Sequence, residues 1–297
     1  MTEERVIDGT DNASDLIVVG AGAAGMAAAL SAAETARNLD MKKFRIAVLE
    51  KSDESDWGGN SRWTTSNFRM IDQEHLYPTF EADIMRDSRG QANKEYVHRL
   101  ALEAEDTVRW IRSNGVMLEE RPGNWSVSGF KMGPVGGGLE IITRLREAAE
   151  KIGVSLIFRT TAYKLLMNED GKVHGVLVRH ANGATEKFWS RAVILAGGGF
   201  EGNYEMLTKY IGRDALALRM DTPVTKYHSG ECINMAFEVG AAPSGEFGNY
   251  HGDVVDSRST AYRASIRAYV YGILVNVKGK RFIDEGMDEI SGSFEFM

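Results

Sequence analysis

The chain has 297 residues, a formal net charge of -7, and 43% apolar and 26% charged residues, a composition typical of a globular protein with a sizeable core. The mildly acidic balance, without a Lys/Arg run, gives no support for nucleic-acid binding, and no apolar run approaches the ~20 residues of a membrane-spanning helix. The single cysteine, Cys232, excludes an intramolecular disulfide, so we expect a reducing, cytoplasmic compartment. We expect Cys232 to be a small buried hydrophobe rather than a nucleophile.

The first part of the chain has the pattern of a βαβ unit. Residues 1–14 are polar and acidic, and they predict a disordered leader without a secretory signal. Asp15–Val19 predicts a buried strand that meets a glycine, and Ala23–Leu39 predicts an alanine-rich helix. Arg45–Leu49 predicts a second buried strand, which completes the unit.

Helical and strand patterns alternate further along the chain. Residues 52–70 are rich in Ser, Gly, Asn and Thr and predict a long functional loop. Apolar residues at helical spacing predict helices over 94–114 and 139–152, each followed by glycine. Residues 154–190 predict a small antiparallel meander with glycine-containing turns. Residues 192–196 (AVILA) predict a return to a buried strand, which ends at three glycines.

A glycine-rich turn joins the first strand to the first helix. Gly20, Gly22 and Gly25 form a GxGxxG sequence, and Glu50 follows 25 residues later, close to the spacing of about 20 in the dinucleotide fingerprint. Gly20 permits a tight turn, Gly22 lets a diphosphate approach the backbone, and Gly25 lets the helix pack on the sheet. The helix N-terminus attracts the phosphates, and Glu50 is expected to accept hydrogen bonds from ribose hydroxyls.

The loop behind the second strand helps to decide between FAD and NAD. A plain NAD domain continues from this point into its next helix, whereas here a polar, glycine-rich loop could follow the diphosphate toward an isoalloxazine ring. We therefore expect FAD; NAD binding and a βαβ unit without a ligand are the alternatives. The predicted cofactor contacts of this region are Gly20, Ala21, Gly22, Ala24, Gly25, Glu50, Lys51, Gly58, Gly59, Asn60 and Ser61.

Residues 15–50, followed by GGNSR at 58–62, resemble the fumarate reductase/succinate dehydrogenase flavoprotein family. GGNSRWTTSNFR at 58–69 and RFIDEG at 281–286 look most like its tricarballylate dehydrogenase branch. The resemblance covers roughly 15–288, nearly the whole chain.

This resemblance implies an α/β fold, in which a Rossmann-like FAD-binding domain carries an antiparallel β meander and is followed by the start of a capping domain. The FAD-binding domain is expected at 15–249 and the partial capping (substrate) domain at 250–297.

Further cofactor contacts are implied in a later strand and in a second glycine stretch, at Ala162, Ala196, Gly197 and Gly198. Gly230 resembles a family glycine near the flavin, although Ser229 and Glu231 depart from the family's Gly-Asp-Gly turn around it. No histidine lies within 58–65, where some relatives attach the flavin covalently. The resemblance therefore implies non-covalent FAD.

Two residues are implied in substrate chemistry. His251 resembles the family histidine that binds a substrate carboxylate, and Glu285 resembles the acid that takes part in proton delivery. An ordinary loop histidine and a solvated acidic turn are the alternatives. No arginine of the chain matches the proton donor of the family. We therefore expect a C-terminally truncated chain with little activity of its own.

The expected function is FAD-dependent oxidation or reduction of a C–C bond in a small di- or tricarboxylate, with an unknown electron donor or acceptor. One alternative is a different flavin dehydrogenase of the same family, similar to the ketosteroid dehydrogenases. The other is a non-catalytic FAD-binding fragment.

Overall fold

Two compact units make up the chain. The structure, a computed structural model, describes residues 12–120, 132–248, 252, 255–256, 258–262, 272–282 and 285. Unit 1 comprises residues 1–64 and 138–246, and unit 2 comprises residues 65–137 and 247–297. Residues 65–137, part of the FAD-binding domain expected at 15–249, thus cluster with the C-terminal residues. Local sequence patterns do not indicate this clustering, because they do not show which distant segment an insertion such as residues 65–137 packs with.

A βαβ unit opens unit 1, as predicted. It consists of β1 (Ala13–Val19), α1 (Ala23–Asn38) and β2 (Ile46–Leu49), with β1 and β2 paired in parallel. β1 begins two residues before the predicted strand, so the end of the predicted leader belongs to the sheet; residues 1–11 lie outside the described residues. One face of α1 is buried, and its many alanines allow close packing.

A six-stranded sheet organises unit 1 in the order β5-β2-β1-β8-β7-β6. Its other strands are β5 (Ser155–Ile157), β6 (Thr160–Met167), β7 (Val173–His180) and β8 (Thr185–Leu195). β5, β2, β1 and β8 pair in parallel, whereas β7 pairs antiparallel with both β6 and β8. The mixed α/β fold and the predicted meander are therefore confirmed.

The AVILA segment at 192–196 is not a separate strand, in contrast to the sequence prediction. Most of it forms the end of β8, whose first half pairs with β7 and whose second half pairs with β1. One continuous strand thus joins the meander to the parallel part of the sheet. The core beside it is built from apolar residues of the sheet and of α7 (Glu231–Glu238), including Ile17, Val176 and Met235.

Three further helices belong to unit 1. α2 (Gly59–Trp63) is a short helix inside the segment that was predicted to be a loop. α5 (Gly138–Lys151) contacts both α1 and α2, and α6 (Tyr204–Tyr210) follows the glycine stretch after β8. The side chain of Asn203 caps α6 by accepting hydrogen bonds from two backbone N–H groups.

Unit 2 has its own small core. It contains α3 (Phe80–Asp87), α4 (Lys94–Ser113), and the antiparallel pair of β3 (Leu118–Glu120) and β4 (Met132–Pro134). The predicted helix over 94–114 is confirmed as α4, whereas α3 was not predicted. The buried residues of this core are Met70, Val108 and Met132.

Within the described part of the chain, none of the helices is long and apolar enough to cross a membrane. The same residues contain no group of three or more His, Cys, Asp or Glu side chains that could hold a metal ion.

Candidate functional site

The GxGxxG turn forms where the carboxyl ends of three parallel strands meet. The N–H of Gly20 donates to the carbonyl oxygen of Leu49 at 2.8 Å, and the N–H of Ala196 donates to that of Val19 at 2.8 Å. Gly20 has φ +103°, and a Cβ there would overlap the backbone of Ala196. Glycine is therefore required at this position by both conformation and space.

Gly22 and Gly25 are glycines for different reasons. A Cβ at Gly25 would overlap the carbonyl oxygen of Gly20, so this glycine allows α1 to pack against the turn. A Cβ at Gly22 would lie 3.5 Å from Ser61 Oγ, an ordinary contact, and Gly22 has an ordinary φ of −72°. The protein itself would tolerate a side chain at Gly22. The absence of one leaves room for a ligand at the N-terminus of α1.

The N-terminus of α1 is open to an anion. Ser61 Oγ accepts a hydrogen bond from the N–H of Ala23 at 3.1 Å. The other N–H groups of the first turn have no acceptor within the helix, and the helix dipole favours negative charge there. This arrangement suits a diphosphate.

Glu50 directly follows β2, at the position that the fingerprint predicts. Its side chain is buried, with Oε2 accepting from the N–H of Ala21 and Oε1 accepting from the N–H of Ser52, both at 2.9 Å. Each carboxylate oxygen retains a second acceptor direction. Glu50 therefore holds the glycine turn to the end of β2 and can still accept from a ribose hydroxyl.

A charged pair borders the cleft beside Glu50. Lys51 Nζ forms an ion pair with Glu231 Oε1 at 2.6 Å and donates to Ser229 Oγ and to the carbonyl oxygen of Tyr227. Glu231 is the residue after Gly230, and it lines the cleft whereas Gly230 does not. Gly230 instead starts α7 with φ +79°.

These residues line one cleft of about 350 Å³, within the range of cofactor sites. All of its lining residues belong to unit 1. The predicted contacts that line it are Gly20, Ala21, Gly22, Ala24, Glu50, Lys51, Gly59, Asn60, Ser61, Ala162, Ala196, Gly197 and Gly198. The predicted contacts outside the lining are Gly25, Gly58 and Gly230; Gly25 and Gly58 pack against the turn and against α5 respectively.

Several lining residues were not predicted from the sequence. Glu201 follows the second glycine stretch, Glu231 follows Gly230, and Thr160 precedes Ala162 by two positions, so adjacency to predicted contacts could have indicated them. His228 and Tyr227 precede the predicted contact Gly230 by two and three positions, so the same adjacency could have indicated them.

Cys232 also lines the cleft, and it behaves as the buried residue that was expected. Burial raises the pKa of its thiol to about 11, although backbone N–H groups of the Gly197 region oppose this. A Cβ at Gly197 would overlap Cys232 Sγ, so the thiol fills the space that this glycine leaves. Its protonated state at neutral pH makes it a packing group.

Of the two predicted substrate residues, the structure describes Glu285, which belongs to unit 2. His251 is outside the described residues. Glu285 Oε1 accepts from the N–H of Leu274 at 2.6 Å, and Oε2 accepts from Arg281 Nε at 2.9 Å. The hydrogen bonds from Arg281 and then from Leu274 lower the pKa of Glu285 to about 2. Glu285 is therefore ionised at neutral pH in this arrangement.

The sequence profile of a family described as "FAD binding domain" matches residues 15–294. The chain belongs to this family. FAD is therefore the cofactor of this domain, as predicted, and the geometry of the cleft fits it: Gly22 leaves space at a helix N-terminus, and Glu50 lies where a ribose acceptor is needed.

The chain is similar to two curated reductases and one solved structure. A vinyl phenol reductase from Lactiplantibacillus plantarum is 29% identical over 92% of this chain and 57% of its own length. A probable fumarate reductase, Ifc3, from Shewanella frigidimarina is 28% identical over 95% and 48%. The open conformation of a flavocytochrome c3 fumarate reductase superposes with a TM-score of 0.75 at 27% identity, over 94% of this chain and 50% of that one. The chain thus spans about half the length of these relatives.

Proposed function

We propose that this protein is an FAD-dependent oxidoreductase that adds or removes two hydrogens across a C–C bond of a small carboxylate. The observation that carries the proposal is the cleft at the ends of β1, β2 and β8, whose glycine turn and Glu50 suit FAD. The two curated relatives are named as reductases of a vinyl phenol and of fumarate, and both of these substrates contain a C=C bond.

Different residues of unit 1 bind different parts of the cofactor. The N-terminus of α1 and Gly22 accommodate the diphosphate, and Glu50 accepts from the ribose. Bound FAD supplies hydride transfer. We propose non-covalent binding, because no histidine lies in the 58–65 segment.

The carboxylate preference rests on the resemblance around 281–286 and on His251, which we propose binds a substrate carboxylate. The tricarballylate dehydrogenase-like sequence there makes a di- or tricarboxylate the leading substrate class. The hydrogen bonds from Arg281 and Leu274 lower the pKa of Glu285 to about 2, which makes it a weak base, so proton transfer through Glu285 requires these contacts to be broken. Its part in proton delivery is proposed from the resemblance alone.

Two measurements on the purified chain test the proposal. A visible spectrum with bands near ~450 nm establishes bound flavin. The flavoprotein is then assayed with a reduced viologen dye and fumarate, and with an artificial acceptor and tricarballylate. 4-Vinylphenol and a 3-ketosteroid serve as comparison substrates without carboxylates.

Turnover confined to the carboxylates supports the proposal. Turnover of only the steroid or only the vinylphenol would contradict the carboxylate assignment and indicate that compound's substrate class instead. A flavin-containing protein that turns over none of the four substrates favours the non-catalytic FAD-binding alternative.

A further inference from the structure

The cleft contains a buried histidine that the cofactor fingerprint does not include. His228 follows a short 3-10 turn (Thr225–Tyr227), is only 8% exposed, and lines the cleft. The two nitrogens of its imidazole have different surroundings. Nδ1 faces a polar network of the protein, whereas Nε2 faces two glycines that were predicted to contact FAD.

The Nδ1 side is held by Asn60 and Glu201. Asn60 Nδ2 lies 3.0 Å from His228 Nδ1, and Glu201 Oε2 lies 3.4 Å from it. Burial alone would raise the pKa of Glu201, but its hydrogen bond with His228 and other contacts bring the net value below the ordinary one. Glu201 is therefore an anion at neutral pH.

The orientation of the Asn60 amide follows from its other neighbours. Its Nδ2 group also lies 3.4 Å from Glu201 Oε1, and an ionised carboxylate is only an acceptor. On its other side, Asn60 Oδ1 accepts from Thr222 Oγ1 at 3.2 Å. The amide nitrogen of Asn60 therefore points toward His228 and Glu201.

This network favours a proton on Nε2 in both charge states of the ring. In the neutral ring, Nδ1 accepts from Asn60, which leaves the single proton on Nε2. In the protonated ring, Nδ1 donates to Glu201, and Nε2 carries a proton as well. Asn60 and Glu201 are thus positioning residues for an N–H donor at Nε2.

The Nε2 side faces the cleft. A Cβ at Gly59 would lie 3.2 Å from Nε2, and a Cβ at Gly198 would lie 3.9 Å from it. Across the part of the chain that the structure describes, no backbone or side-chain group accepts a hydrogen bond from Nε2. Nε2 is therefore a donor that opens on the cleft, and a ligand that displaces water there must supply an acceptor for it.

We propose that His228 donates a hydrogen bond from Nε2 to an oxygen of FAD, either on the diphosphate or on the ribityl-flavin half. This deepens the proposed function, since it rests on FAD occupying the cleft, but it does not depend on the substrate. The competing explanation is that His228 only supports the loop through its Nδ1 contacts.

Two amide substitutions separate these roles, because Asn approximates the position of Nδ1 and Gln approximates that of Nε2. His228→Asn keeps a polar group toward Asn60 and Glu201 but removes the outer donor. His228→Gln keeps a donor near the outer position. His180→Ala is the matched control, since His180 also pairs with a carboxylate, Glu186, but does not line the cleft.

FAD is titrated into the apoprotein of each variant, and its dissociation constant is read from quenching of flavin fluorescence. We expect His228→Asn to weaken FAD binding at least ~10-fold, and His228→Gln and His180→Ala to stay within ~3-fold of the parent. The opposite order for the two His228 variants, equal losses in both, or no loss in either overturns the proposal. Circular dichroism checks that each variant is folded.

Competition by ADP and by FMN locates the acceptor. A loss of ADP affinity in His228→Asn indicates a diphosphate oxygen, and a loss of FMN affinity alone indicates the ribityl-flavin half. A shifted flavin absorption band in His228→Gln is a second sign of direct contact. Failure of the parent to bind FAD would instead contradict the cofactor assignment, and failure of turnover with FAD bound would contradict only the proposed reaction.

Discussion

At the scale of single residues, we propose two roles for Glu50, one toward the cofactor and one within the protein. Spacing from the glycine turn was enough to predict it as a ribose acceptor. The structure adds that its carboxylate joins Ala21 to Ser52 through two backbone N–H groups. Loss of the carboxylate is therefore expected to affect both cofactor binding and the stability of the surrounding protein.

Glu50→Gln should weaken FAD binding at least ~10-fold and reduce the free energy of unfolding of the apoprotein by about 1–3 kcal/mol. The reason is that the amide NH2 group cannot accept from the N–H that one carboxylate oxygen now serves. Flavin fluorescence titration and urea denaturation measure the two effects. Glu169→Gln, at an exposed turn, is the control. Unchanged FAD affinity in Glu50→Gln would remove Glu50 from the cofactor site.

The contact between Asn60 and His228 could not be predicted from the sequence. Glu50 is predictable because the turn, the helix and the second strand are consecutive, so that spacing along the chain reflects spacing in the fold. Asn60 and His228 lie 168 positions apart in the sequence, yet their side chains are 3.0 Å apart. Residues 65–137 lie between them in the sequence and belong to the other unit.

At the scale of secondary-structure elements, local patterns predicted β1, α1, β2, α4, α5 and the meander within a few residues. The failures have physical causes. AVILA was separated from the meander because a run of buried residues looks like a parallel strand, whereas β8 changes from an antiparallel to a parallel partner along its length. The five-residue α2 has too few turns to show a helical period.

The turn between β1 and α1 allows a matched pair of substitutions. Gly22→Ala should leave the stability of the apoprotein within ~0.5 kcal/mol of the parent, because a Cβ there makes only an ordinary contact. It should nevertheless weaken FAD binding at least ~10-fold, because the Cβ occupies the approach of the diphosphate.

Gly25→Ala should instead destabilise the apoprotein, by about 1–3 kcal/mol or more. The reason is that its Cβ would overlap the Gly20 carbonyl before any ligand is added. Thermal unfolding of both apoproteins and fluorescence titration with FAD compare the two variants. Normal FAD binding by Gly22→Ala would show that nothing approaches the backbone at this turn.

At the scale of the whole molecule, the cleft is assembled from two segments of sequence. All of its lining residues lie within 1–64 and 138–246, and residues 65–137 separate these segments. The two units have separate cores, one containing Val176 and the other containing Val108. The sequence predicted the first core through its strands. It did not predict the second, whose members Met70, Val108 and Met132 come from three separate parts of the insertion.

This division leads to a prediction about which of the two cores FAD affinity depends on. Val108 and Val176 are both buried valines, 7% and 0% exposed, so replacement of either by alanine should cost about 2 kcal/mol of local stability. Val176 shares a core with Ala162 and Cys232, which line the cleft, whereas Val108 packs with Met70 and Met132 of unit 2. FAD affinity should therefore fall in Val176→Ala and stay within ~2-fold of the parent in Val108→Ala. Fluorescence titration gives the affinities, and thermal unfolding shows whether each variant has lost stability. An equal loss of FAD affinity in both variants would show that the cofactor site depends on unit 2 as much as on unit 1.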